Sequence, residues 1–329
     1  TRCTSRRQRQ MCIRDSLGGV GSNAGIYRSV DGLSWANITP LDMLGYDYNR
    51  IVLALAPSDE NILYCLIAGT GGREDTRFYK YTYVSGDGTG SGGVWDNRSA
   101  QMDGLPQESS TGPLSHQDSY NMAVTVHPTD SELVFVGGVR LYRSDDGFAT
   151  GATTVKIGGS VTNHHVDQHL LVFQPGSPSI AYTATDGGVH RTMDATAATV
   201  EWTPLNNGYT TSQFYDVAID DDAPGNDMVI GGTHDNGTWL TNTSLADVDW
   251  RQRDGSDGGH CAIADVVRDS LHLLTSRQRG VIARLKVDPI TGDFLAGTQI
   301  QPAGAGGVLF INPFVMDPVE NFKVYTATS

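Results

Sequence analysis

The residues able to do chemistry in this chain fall into a few short polar segments. His165-Val166-Asp167-Gln168-His169 is the densest. If that run is extended, the two-residue period of a strand puts His165, Asp167 and His169 on one side, a spacing compatible with a divalent metal. The same residue types would equally make a hydrogen-bonded network in which each His is satisfied by a neighbouring carboxylate. Asp186 stands in Thr185-Asp186-Gly187-Gly188, and His234 and Asp235 in His234-Asp235-Asn236-Gly237. Asp254, Asp257 and His260 share Asp254-Gly255-Ser256-Asp257-Gly258-Gly259-His260, and Arg277 and Arg279 flank Gln278. Ca²⁺, an oxygen-seeking ion, is the cation that Asp254 and Asp257, or the run Asp220-Asp221-Asp222, would take. A solvated acidic turn is the other reading of that run. No cofactor other than Ca²⁺ is expected, and the chain has no phosphate-binding loop, dinucleotide fingerprint or Gly-x-Ser-x-Gly nucleophile elbow.

These segments recur at fixed places in a repeat. Six times the chain spells a short apolar strand, a Pro/Asp/Asn/Ser turn, a second apolar strand and then a Gly-rich loop. The copies begin at Ile51, Met122, His169, Phe214, His260 and Leu309, and the last stops before its loop. From the third copy on, the period is roughly 45 to 50 residues, that of a four-stranded propeller blade. A third strand follows the loop, as in Gly25–Ser29, Arg140–Ser144 and Val189–Thr192, and a variable fourth completes the blade. The first two strands are almost continuously apolar, which predicts burial on both faces between adjacent blades. The expected fold is an all-β propeller: the outer half of one blade, five blades, and the inner half of another. Seven blades, or part of a larger array, is the expected total.

In such a blade the first strand lines the central channel. The loop before it shares a face with the loop joining strands two and three. His164, His165, Asp167 and His169 precede a first strand, and Asp254, Asp257 and His260 precede another. Asp186, His234, Asp235, Arg277 and Arg279 follow second strands. All are expected on one face, near the channel mouth, as the binding set. Each Asp-Gly-Gly also fits a tight turn in which Asp accepts amide bonds and Gly supplies a positive φ.

The ends and the composition narrow the function classes. Residues 1–16 carry five Arg and no apolar periodicity, and Ser5–Ser16 reads like one frame of a sequencing adapter, so the segment is set apart from the propeller at 17–329. It is too polar for a signal peptide. Both ends of the propeller are expected to be truncated. The chain has a formal charge of −14; without the segment's five Arg and one Asp it carries −18. That charge disfavours nucleic acid and anionic membranes as partners. No apolar run approaches the roughly 18 residues of a membrane span. Cys65 and Cys261 fall inside strands, as small buried apolar residues.

The turn after the third strand carries a second motif. Ser29, Asp31, Gly32 and Trp35, with Ser144, Asp146 and Gly147, resemble the Ser-x-Asp-x-Gly-x-x-Trp pattern of the Asp-box. The first copy is one residue short and the second lacks the Trp. Ser85-Gly86-Asp87-Gly88 with Trp95, and Thr192-Met193-Asp194 with Trp202, look like degenerate copies. The Asp is expected to bond amides of its own turn and the Trp to pack the turn on the blade.

With these turns, phrases such as HVDQHLLVFQP, YTATDGGVHRT, QFYDVAID and IGGTHDNGTW make nearly all of Leu17–Ser329 resemble the sortilin-type, Asp-box (BNR-like) propeller proteins that bacteria export. The resemblance implies secretion or a cell-surface location. That superfamily includes receptors and binding scaffolds, photosystem assembly factors and xyloglucan-cleaving glycoside hydrolases. A scaffold would recognise a carbohydrate, peptide or protein at the channel mouth. In the xyloglucanase-like relatives, catalytic Asp residues stand in D-x-G-G and G-D-x-G-G contexts, which Asp186 and Asp257 loosely match. Two carboxylates about 6.5 to 9.5 Å apart would suit an inverting mechanism. A sialidase is disfavoured, because the nearest text to that family's Arg-Ile-Pro is Arg50-Ile51-Val52. The Trp count disfavours an endo-acting hydrolase: four of five indoles sit at turn ends, leaving Trp239 as a platform. Phe214 and Tyr215 open a channel strand and are expected in the core.

Overall fold

The computed structural model describes residues 24–72, 75–105, 114–159, 163–208, 212–220, 228–243, 248–267, 270–303, 307–317, 319–320 and 322–327. The segment 1–16, Asp221 and Asp222 lie outside them. The fold is all-β and of propeller type, a series of four-stranded antiparallel meanders, and the chain divides into two compact units, Thr1–Gly208 and Tyr209–Ser329.

The first unit opens with a two-stranded sheet, β1 (Tyr27–Arg28) and β2 (Ala36–Asn37). Three four-stranded meanders follow. They are β3 (Tyr48–Leu55) to β6 (Gly93–Asn97) through β4 (Ile62–Gly69) and β5 (Thr76–Tyr83); β7 (Ala123–His127) to β10 (Val155–Gly158) through β8 (Asp130–Gly137) and β9 (Leu141–Ser144); and β11 (Gln168–Gln174) to β14 (Thr203–Pro204) through β12 (Ser177–Thr185) and β13 (Gly188–Thr192). The second unit holds β15 (Phe214–Ile219), β16 (Val229–Thr233), β17 (Gly237–Thr241) and β18 (Arg251–Asp254), then β19 (Gly258–Val267), β20 (Ser270–Arg277), β21 (Val281–Val287) and β22 (Phe294–Gln299). It ends in a two-stranded pair, β23 (Phe314–Met316) and β24 (Val324–Thr326).

The cores lie between successive sheets. Tyr64, Leu66 and Phe78 of one meander pack on Val124, Val134, Val136 and Tyr142 of the next, and in the second unit Ile230 and Leu240 pack on Leu271, Leu273 and Leu285. Burial on both faces differs from strand to strand: all eight residues of β4 are buried, whereas β15 alternates between exposed and half-buried. β15 is the edge of its sheet and has a hydrogen-bonded neighbour on one side only. Phe214 and Tyr215 are accordingly 43% and 37% exposed, outside the core expected for them.

Local side-chain chemistry closes the turns after the third strands. Asp31 Oδ1 accepts the amides of Leu33 and Ser34 at 2.7 Å each, and Ser29 Oγ accepts that of Gly32. Asp146 accepts both the amide and hydroxyl of Thr150, while Asp87 and Asp194 do the same for Thr89 and Thr196. Two indoles tie neighbouring sheets together: Trp95 Nε1 donates to Ile38 O and Trp202 Nε1 to Ile157 O. Trp35 does not pack its turn, being 44% exposed beside the short β1–β2 pair, and the buried ring at the Ser144 turn is Phe148.

Candidate functional site

In each meander the start of the first strand and the end of the second share one sheet end, so the loops there are neighbours by register. Gln168 pairs with Thr185, which brings the segment before β11 against the Asp186-Gly187 turn. The fit is close: a Cβ on Gly187 would collide with the His165 ring. His169 Nε2 lies 2.6 Å from Asp186 Oδ1. Tyr120 Oη donates to the same oxygen at 3.2 Å, its ring edge-on to His169 at 5.0 Å. Asp167, 6% exposed, accepts Asn121 Nδ2 at 2.7 Å. Asn121 Oδ1 and Gln168 Oε1 are buried beneath the cluster with no hydrogen-bond partner among the described residues.

Tyr120 and Asn121 are presented by a strained loop. Ser115, Gln117, Asp118 and Ser119 all have positive φ, a backbone state that costs about 1 kcal/mol or more per non-glycine residue and persists only where the surroundings over-determine it. Here the clamp is His116, fully buried: its Nδ1 accepts the Ser119 amide, so Nε2 carries the proton and donates to Asp75 O at 3.2 Å. Burial lowers the His116 pKa, in keeping with that neutral tautomer. Arg50 Nη1 holds the carbonyls of Ser119 and Tyr120.

Burial first, and then the negative charge of Asp186, push the Asp167 carboxyl up to about 6. The cluster therefore offers a carboxyl that holds its proton up to about pH 6, a carboxylate fixed by two donors, and a half-exposed aromatic ring. The extended H-x-D-x-H run does not form. Asp167 sits at φ 64, which turns its side chain inward to Asn121, while His165 stands on Gly187 and His169 on Asp186. The three do not converge as metal ligands.

The second unit has its own constellation at the corresponding sheet ends. Asp257 Oδ1 accepts the Asp235 amide at 3.0 Å, and His234 Nε2 lies 3.3 Å from Asp235 Oδ2. The ligand atoms of His234, Asp235 and Asp257 all lie within 4.8 Å of one another. Glycines allow this closeness: a Cβ on Gly258 would strike Gly237 O, and one on Gly232 would strike Gly259 O. Asp254 does not join Asp257 as an oxygen pair for Ca²⁺, because it turns to Arg277 Nε at 3.1 Å and Thr275 Oγ1 at 3.2 Å. His260 Nδ1 sits 3.4 Å from Asp216 Oδ2. Arg279 is exposed, at φ 63, with its amide on Phe310 O.

Two solved glycoside hydrolase structures align with the chain. The GH74 enzyme of Niastella koreensis aligns over 93% of this chain and 43% of its own, at 16% identity and a TM-score of 0.49. An ancestral GH74 enzyme aligns over 85% and 36%, at 12% identity and a TM-score of 0.34. The chain thus spans less than half the length of either. No family model matches it, and no curated protein does.

Of the residues singled out in the sequence, His165, Asp167, His169 and Asp186 come together in the first unit, and His234, Asp235 and Asp257 in the second. Asp186 and Asp257, paired by the hydrolase reading, belong to different units. Sequence reading missed Tyr120, Asn121 and Asp216. The first two precede a first strand, the position that singled out His165 and Asp167, but the loop holding them carries no repeated motif. Asp216 lies inside β15 and gave no signal.

Proposed function

We propose that the chain is a carbohydrate-binding scaffold whose recognition site in the first unit is Tyr120, His169, Asp186 and Asp167. One observation carries the reading. Tyr120, 50% exposed, is held by a strained, clamped loop with its hydroxyl on an Asp186 oxygen that His169 also occupies. A sugar offers an apolar ring face and several hydroxyl donors, and an aromatic ring beside a fixed carboxylate matches both. Strain retained in a surface loop is consistent with preorganisation of that ring.

Affinity electrophoresis against soluble polysaccharides tests this. At least one polysaccharide should retard the wild type. Tyr120→Ala should lose the retardation and Asp186→Asn should weaken it, with circular dichroism unchanged. If no polysaccharide retards the wild type, the reading fails.

A hydrolytic reading has one observation in its favour, the raised pKa of Asp167 next to the charge of Asp186, since carboxyls whose proton affinities are pushed apart suit acid and base roles. Asp167 is nearly fully buried and bonded to Asn121, which places binding ahead of catalysis. Reducing-end release separates the two: an enzyme would keep polysaccharide binding in Asp186→Asn and lose turnover.

A further inference from the structure

We propose that the cleft between β6 and the segment 37–42, both in the first unit, is a second carbohydrate site, which holds one neutral pyranose ring against Trp95 with its hydroxyls on Asp42 and Thr39. The cleft has a volume of about 560 Å³, within the range of small-ligand sites. It shares no lining residue with the Tyr120 cluster. β6 is the outer edge of its sheet and forms one wall, and the segment after β2 forms the other. Trp95, one of the indoles that the sequence places at a turn end, is only half-buried there and lines the cleft.

Hydrogen bonds brace both walls. Trp95 Nε1 donates across the cleft to Ile38 O at 2.6 Å, and Tyr79 and Tyr81 pack on its ring, with centroids at 6.0 and 4.8 Å. Asp42 Oδ2 accepts Asn97 Nδ2 at 2.7 Å and Tyr79 Oη at 3.1 Å, and Arg77 Nη1 holds the Asp42 carbonyl. Both side-chain bonds end on Oδ2, so Oδ1 is left to accept from a ligand. Thr39 Oγ1 accepts the Ile26 amide at 2.9 Å, which leaves its proton to donate. A sugar hydroxyl gives one bond and takes another, and an acceptor and a donor preset in one cleft serve both. The apolar face of the sugar then has the indole to lie against. Charge narrows the occupants further: the lining holds one carboxylate and no Lys, Arg or His, a set that repels an anion.

Full-chain protein carrying ¹⁵N-tryptophan is titrated with the methyl β-glycosides of glucose, galactose and xylose, and the indole N–H resonances are followed by nuclear magnetic resonance. The resonance missing from Trp95→Phe is that of Trp95. A single ring makes few contacts, so affinity of roughly millimolar order is expected, which a titration reads and polysaccharide retardation does not. At least one glycoside should shift the Trp95 resonance. Asp42→Asn keeps an acceptor for Tyr79 and Asn97 but puts a donor in place of Oδ1, and should weaken that binding by at least roughly tenfold. Asp42 is exposed, so the variant should keep the wild-type circular dichroism. Tyr120→Ala should leave the Trp95 response unchanged, which separates this site from the Tyr120 cluster. No shift with any of the three glycosides, a response undiminished in Asp42→Asn, a response lost in Tyr120→Ala, or a response to cationic glucosamine alone would each overturn the proposal.

Discussion

Among the aspartates, Asp167 stands apart because its surroundings act on its charge in the opposite sense. Amides of Ser34 and Leu33 hold Asp31 down at about 2. Burial opposes ionisation of Asp146, but hydrogen bonds from Thr150, Ser144 and Thr153 outweigh it and keep that carboxyl at about 2. For Asp167, burial and the Asp186 charge win, and the folded pKa rises from 3.8 to about 6. Between those values the folded state holds a proton that the unfolded chain has released, so stability falls as pH rises through the window and stays lowered above it. Asp167→Asn removes the ionisation and retains an acceptor for Asn121. The variant should gain roughly 1 to 3 kcal/mol over wild type at pH 7, and the gap should close at pH 4. Urea unfolding at the two pH values checks this, and a variant less stable at pH 7 would remove burial as the cause. The residues of this cluster were legible in the sequence as individual polar positions. Their pairing was not, because the single left-handed residue at Asp167 redirects the run, and a non-glycine φ of 64 leaves no mark in an H-x-D-x-H pattern.

Strands and turns were the most legible elements, because each is written in contiguous residues. The second strand β4 reads as an unbroken apolar run and is buried throughout, and the Asp turns at Ser29 and Ser144 read as Ser, Asp and Gly at close spacing. What the pattern could not supply was the difference between a central strand and an edge strand, since β15 and β4 look alike in composition but differ in their neighbours. The turns are local, so their cost should be local too. Asp146→Ala removes the Thr150 amide and hydroxyl bonds and should destabilise the first unit by about 1 to 2 kcal/mol, measured by urea unfolding. Glycine contacts between meanders are less forgiving. In the second unit, a Cβ at position 232 would run into the carbonyl of Gly259, so Gly232→Ala must shift backbone against backbone. It should cost roughly 1 to 3 kcal/mol, whereas Gly255→Ala, whose Cβ would meet nothing within 4 Å, should be near neutral. Equal losses in the two variants would show that the close approach does not support the unit. The contact of Asp257 with the His234-Asp235 turn depends on that approach, which is why no local motif announced it.

At the scale of the whole molecule, net charge acts on the compact state itself. A chain at −14 destabilises its own compact state through self-repulsion. Among the described residues, no helix is long and apolar enough to cross a membrane. Residues 1–16 run against this trend with their five Arg, and without them the remaining 313 residues carry −18. Repulsion grows with the square of net charge, so the shortened chain should feel about 1.7 times as much of it. Salt screens such repulsion, the Debye length falling from about 30 Å at 0.01 M to about 10 Å at 0.1 M. Raising the salt over that range should therefore raise the melting temperature of both forms, and by more in the chain beginning at Leu17. Retention on a heparin column gives the complementary reading, since any retention of the full chain should come from the Arg cluster and vanish when it is removed. If the shortened chain were retained as strongly as the full one, a basic surface within the fold would have to outweigh its overall charge.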